Sequence, residues 1–249
     1  MAAPAWLTAR PIAHRGLHDA SDGRVENSLA AAEAALGGGF GIEADVRLAA
    51  DGVPMVFHDA DLDRLTRATG RLADMRSDDL GGIGFADGPG RIPTLGALLD
   101  LVRGRVPLYL EAKSEDGNAG ALAAAVAARL AGYGGPAAVM SFTPASVAAF
   151  GRAAPDRPRG LISRRYDDPE DADEHGPVRR FALRHLLFAF AVLPQFTAYD
   201  VRALPAAAPA IARRLGLPLL AWTVRTAADR RIAAAHADQM IFEGLVPDA

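Results

Sequence analysis

Short apolar runs alternate with alanine-rich helical stretches along the whole chain, and that alternation leaves few architectures open. Runs at 10–14, 41–46, 106–112, 137–142, 159–163, 196–200, 218–224 and 239–243 have the length and character of buried strands. Helical stretches fall between them at 28–36, 95–102, 118–131, 144–153, 177–190, 206–215 and 227–235. Asn27, Thr94, Asn118, Thr143 and Thr226 stand where helix N-caps belong. Repeated strand–helix units cover a parallel sheet with helices. Eight such strands in 249 residues fit an α/β fold of the TIM (β/α)8 barrel type better than an open doubly wound sheet. One interval breaks the rhythm: residues 47–95 read as a small insertion after strand 2, a short hairpin with irregular loops, inside a single domain spanning 1–249. The stretch "DDPEDADEHG" at 167–176 reads as a solvated acidic loop after the fifth strand.

Composition removes several function classes. A formal net charge of −3 argues against a general nucleic-acid binder while leaving room for local basic clusters. Without cysteine there is no disulfide framework and no thiolate metal site, so a bound metal must use oxygen or nitrogen ligands, which favours hard cations. The first 16 residues lack the basic start and apolar run of a signal peptide, and the longest apolar stretch, Leu186 to Pro194, is too short to span a bilayer. A cytoplasmic protein with no stable membrane anchor is the expectation.

Strands covered on both faces should be apolar, and an acid there needs a partner. "FGIEADVRL" breaks this rule with Glu43 and Asp45, two apart and so on one side of the strand. "YLEAK" repeats the pattern with Glu111 and Lys113 on the next core strand. Three carboxylates near the C-terminal ends of adjacent barrel strands make an oxygen site for Mg²⁺ or Ca²⁺, at the end where barrel active sites lie. The plainer alternative is a set of salt bridges with Arg47 or Lys113. Lys113 is the only lysine among 27 basic residues, which marks a position where a compact ammonium is wanted rather than a planar fork. His14 ends the first strand and precedes Arg15-Gly16, a tight turn whose arginine can fork onto a phosphate. His58 ends the apolar run "PMVF" and precedes Asp59, a candidate acceptor for its ring. These two histidines suggest a general acid and a general base, whereas His18, His175, His185 and His236 read as surface or packing residues. A serine nucleophile has no support, since there is no G-x-S-x-G elbow. The three acids, a divalent cation, Arg15 and Lys113 leave one net positive charge, which suits a phosphodiester monoanion. One protonated histidine would add the charge that suits attack on phosphorus.

"AHRG" at 13–16, "ENS" at 26–28, "IEADVRLAADGVPMVFHDADLDRLTRATG" at 42–70, "IPTL" at 92–95, "LEAK" at 110–113, "SF" at 141–142 and "AWTV" at 221–224 resemble, in order, the glycerophosphodiester phosphodiesterase family over essentially the full chain. The resemblance implies a TIM barrel that hydrolyses small-molecule glycerophosphodiesters to sn-glycerol 3-phosphate and an alcohol with Ca²⁺ or Mg²⁺. It implies His14 and His58 as the acid/base pair, Glu43, Asp45 and Glu111 as metal ligands, Arg15 and Lys113 on the phosphate, and Trp222 in the substrate wall. Glu26 and Asn27 are expected to cap the first helix and brace Arg15. Two positions depart from the family pattern: Arg225 follows Thr223-Val224 where asparagine is frequent, and Phe242-Glu243 replaces Thr-Asp or Thr-Asn. Both are expected to affect the alcohol-side pocket and to leave the metal and acid/base set untouched. The alternatives are a related barrel phospholipase of C or D type acting on phospholipids or lysophospholipids, and a non-catalytic binding barrel.

Overall fold

In the computed structural model, which describes residues 3–114 and 117–247, eight parallel strands close into a barrel. They are β1 (Ile12–Ala13), β2 (Gly41–Leu48), β4 (Leu108–Ala112), β5 (Ala137–Ser141), β6 (Arg159–Ser163), β7 (Phe196–Asp200), β8 (Leu219–Val224) and β9 (Gln239–Phe242), and β1 pairs with both β2 and β9. A ninth strand, β3 (Pro54–Val56), runs antiparallel to β2 outside the barrel. The acidic Glu115 and Asp116 that follow Lys113, and the two residues at each terminus, lie outside the described residues.

Side-chain alternation sorts the core into layers. Ile42, Ala44 and Val46 of β2, with Leu108, Leu110 and Ala112 of β4, join the cluster under the helices. Their neighbours turn inward, where Tyr109, Met140, Ile162, Phe196, Leu220 and Ile241 fill the barrel. Leu7 closes its floor, its carbonyl accepting from the Tyr109 hydroxyl at 2.7 Å. The helices that cover the sheet are α1 (Leu29–Gly37), α3 (Leu95–Val102), α4 (Ala119–Leu130), α5 (Pro144–Ala153), α9 (Ala207–Arg214) and α10 (Ala227–His236). Thr94 and Thr226 cap helices through their side chains, whereas Asn118 and Thr143 make no capping bond of that kind.

The segment between β2 and α3 carries β3 and one short helix, α2 (Ser77–Leu80), around a small core that includes Met55, Phe57, Leu62 and Leu72. Two expectations change in the connection from β6 to β7. The acidic loop folds as α6 (Pro169–Glu174), and Asp171 is buried, its Oδ1 2.5 Å from Arg164 Nη2, so this segment is not simply solvated. The single helix expected over 177–190 is two: α7 (Pro177–Arg184) and α8 (Ala189–Val192). Leu186 separates them with φ of 55°, a left-handed residue that ends the helical run while its side chain stays buried.

Candidate active site

Every site residue expected from the sequence converges on the C-terminal mouth of the barrel. A cavity of about 1010 Å³ opens there, lined among others by His14, Arg15, His58, Glu111, Lys113 and Trp222. Glu43 and Asp45 lie behind it, fully buried. The register explains the cluster: Asp45 pairs with Glu111 across β2 and β4, two residues above the pairing of Glu43 with Tyr109. One carboxylate oxygen from each of Glu43, Asp45 and Glu111 lies within 4.8 Å of the others.

Asp45 is the most heavily held of the three. Its Oδ2 accepts from Asn27 Nδ2 at 2.8 Å, while Asn27 Oδ1 accepts from the Asp45 backbone N–H at 3.0 Å. Asn27 is therefore not a helix cap: Ser28 caps α1 through its hydroxyl, and Asn27, at φ of 58°, clamps β2. Burial alone would raise the Asp45 carboxyl, but Lys113 and Arg15 outweigh it and hold it below its ordinary value. Lys113 Nζ lies 3.2 Å from Asp45 Oδ1 and 2.5 Å from Glu111 Oε1. Burial and repulsion from Asp45 and Glu111 push Glu43 well up. Burial likewise raises Glu111, against the pull of Lys113. Glu43 Oε2 accepts from the Arg15 backbone N–H at 2.8 Å, yet Glu43 Oε1 is buried without a donor among the described residues. An orphaned carboxylate oxygen facing two like-charged neighbours fits a hard cation, which would satisfy it and relieve the repulsion.

The turn after β1 places Arg15. Gly16 has φ of 77°, and a Cβ there would lie 2.8 Å from the Ala31 carbonyl carbon, so only glycine brings this turn against α1. The Arg15 guanidinium gives Nη1 to Glu26 Oε1 at 2.7 Å and turns Nε toward Asp45 Oδ2 at 3.3 Å. Glu26 thus braces Arg15 as expected. Arg64, from the insertion, ties the same Glu26 to Asp59.

His14 and His58 are each fixed from behind by a carboxylate. His58 Nδ1 lies 2.6 Å from Asp59 Oδ1, and His14 Nδ1 lies 2.7 Å from Glu243 Oε2. Glu243 is in turn bound twice by Arg225, Nη2 to Oε2 at 3.0 Å and Nε to Oε1 at 3.2 Å. The two departures from the family pattern are therefore one ion pair, and it touches His14, contrary to the expectation that it would leave that residue alone. Glu243 is held down at about 2: burial opposes this, but its bonds to His14 and Arg225 prevail. Burial lowers both histidines, against the pull of Glu243 on His14 and of Asp45 on His58, so the neutral rings are favoured with Nε2 left for the cavity. His18 brings a ring nitrogen within 4.8 Å of His14 and Glu243, and His175 lines the cavity rim, nearer the site than the sequence suggested.

Trp222 forms part of the cavity wall with its ring edge-on to Phe142 at 5.2 Å, and its buried indole N–H has no acceptor among the described residues. Lys113 sits over the Phe142 ring at 5.8 Å and Arg164 over Tyr166 at 5.5 Å. Arg64, Arg164 and Tyr166 carry no period-two polar pattern that would mark them: Arg64 comes from the insertion, and Arg164 and Tyr166 follow β6, whose strand residues hold no acid.

The sequence profile of the Glycerophosphoryl diester phosphodiesterase family matches residues 14–248. Glycerophosphodiester phosphodiesterase 1 of Bos taurus is 46% identical over 71 residues, 28% of this chain and 20% of that protein. The match thus spans about a fifth of the length of the curated relatives. Among solved structures, a glycerophosphodiester phosphodiesterase from Agrobacterium tumefaciens is 26% identical, with a TM-score of 0.70 over 94% of this chain and 95% of the other. A phosphodiesterase from Oleispira antarctica, in complex with its product sn-glycerol-3-phosphate, shares the fold at a TM-score of 0.77 and 20% identity, over 94% and 92% of the two chains.

Proposed function

Since the chain belongs to the glycerophosphoryl diester phosphodiesterase family, we propose that it hydrolyses glycerophosphodiesters to sn-glycerol 3-phosphate and an alcohol, using Ca²⁺ or Mg²⁺. One observation carries the reading: two carboxylate-anchored histidines, two cations and three converging carboxylates meet at the mouth of one cavity. The product bound by the Oleispira antarctica protein supports the same choice of substrate.

Glu43, Asp45 and Glu111 would hold the divalent cation, which when bound supplies Lewis-acid charge to the phosphoryl oxygens. Arg15 and Lys113 bind and orient the phosphate. Lys113 stays an ammonium, because Glu111 and Asp45 outweigh burial and raise its pKa. His14 and His58 act at Nε2: the neutral ring of one takes a proton from the attacking oxygen, and the other, as an imidazolium protonated on both nitrogens, gives its Nε2 proton to the leaving alcohol, with water consumed overall. Glu243 and Asp59 hold the Nδ1 proton of each ring and so fix the tautomer. The unpaired indole N–H of Trp222 supports a substrate contact beyond simple wall packing. On the alcohol side, the ring faces of Phe142 and Tyr166 are covered by cations, which argues against an aromatic cage for a quaternary ammonium head group.

The test is release of glycerol 3-phosphate from glycerophosphoglycerol by the purified protein and its His14→Ala and His58→Ala variants. Each loss should slow turnover by roughly 10²- to 10⁴-fold. A variant keeping more than about a tenth of the wild-type rate would remove that histidine from the acid/base pair.

A further inference from the structure

The apolar run Leu186 to Pro194 has no part in this chemistry, yet the surface around it stands apart from the rest of the molecule. Nine large hydrophobic residues are well exposed among the described residues, and seven of them fall on α7, α8, the turn between them and the C-terminal end of α9. Phe190 is 80% exposed and Leu215 72%. Six of the seven gather around a concave groove of about 800 Å³: Phe181, Leu187, Phe190, Leu193, Ile211 and Leu215. Contiguous exposed apolar surface of this kind marks an interaction site rather than chance exposure.

The charge around the groove selects the occupant. Residues 176–195 and 206–217 contain five arginines and no aspartate or glutamate, in a chain whose net charge is −3. Arg213 is paired with Asp238, but Arg184 and Arg214, both exposed, have no acidic partner within ion-pair distance among the described residues. A second copy of this chain docked face to face would lay these arginines against themselves, as any two-fold interface repeats the same patch on both sides. An anionic lipid surface answers both features, since the apolar side chains enter the headgroup boundary while the guanidinium groups meet lipid phosphates. No helix among the described residues is long and apolar enough to cross a membrane, so the contact would lie on the bilayer and not through it.

The groove lies at the N-terminal ends of β6, β7 and β8, away from the catalytic mouth. Helix α7 contributes Arg179 and Leu183 to the cavity wall, while its Phe181 faces the outer groove. We propose that the face formed by α7, α8 and α9 docks the protein reversibly on anionic membranes.

The experiment is flotation of the purified full chain with vesicles of phosphatidylcholine alone or mixed with phosphatidylglycerol. The expected result is at least about tenfold stronger association with the anionic vesicles, weakened by added salt. Phe190→Glu and the double variant Arg184→Gln/Arg214→Gln should each lose that association while hydrolysing soluble glycerophosphodiester at the wild-type rate. Both variants change exposed side chains, so loss of folding does not cloud the result. Equal binding to both vesicle types, anionic binding that survives Phe190→Glu, or a solution dimer broken by Phe190→Glu without vesicle binding would each overturn the proposal.

Discussion

Lys113 is the only lysine beside 26 arginines, and its ammonium reaches Glu111 and Asp45 at once from a largely buried position. A guanidinium is broader and flat, and cannot sit between two carboxylates 2.5 and 3.2 Å away while still offering a donor to the phosphate. Lys113→Arg should therefore lower kcat/KM by roughly 10²-fold although charge is conserved, as steady-state kinetics on a glycerophosphodiester would show. Near-normal activity would make the lone lysine an accident of composition. Glu243 poses a different question, because its bond to His14 orients a ring without touching the phosphate. Glu243→Ala should reduce kcat by roughly 10- to 100-fold with little change in KM, and Glu243→Asp should restore part of it. If KM rose instead and kcat held, the residue would belong to the alcohol pocket, as the sequence first suggested.

At the scale of elements, the chemistry hangs on strand ends and the turns that follow them. The β1 turn is tight, and Gly16→Ala would force a Cβ to 2.8 Å from the α1 backbone at a positive φ. It should cost about 2 kcal/mol or more in denaturant unfolding and displace Arg15 with it. Unchanged stability would mean that the turn has slack the geometry does not show. The barrel strands were legible because each is a short apolar run, and Glu43, Asp45, Glu111 and Lys113 were legible because polar side chains at period two violate that run. The partners behind the site were not. Asn27 carries the residue type of a cap and sits beside one, and only the fold shows that it spans to Asp45, 18 residues away. Glu243 meets His14 across 229 residues, through the closure of β9 on β1, a contact that no local pattern encodes. The break between α7 and α8 was hidden for a third reason: Leu186 is a strong helix former by type, and tertiary burial holds it in a left-handed conformation.

Across the whole molecule, the barrel gathers negative charge at a place where burial makes it costly. Glu43 and Glu111 titrate above their ordinary values, so the folded chain binds protons there more readily than the unfolded chain does. Their contribution to stability accordingly falls as pH rises through those raised values, and at neutral pH they detract from the fold. A cation bound between them removes that deficit, and protons compete with it as pH falls. The direct measurement is glycerol 3-phosphate release by chelator-stripped protein as Ca²⁺ or Mg²⁺ is added back, repeated at successively lower pH. The account predicts negligible turnover without metal, saturable recovery with it, and a half-saturating concentration that rises as pH falls, beginning above the ordinary carboxylate range. Full turnover after complete metal removal would contradict it.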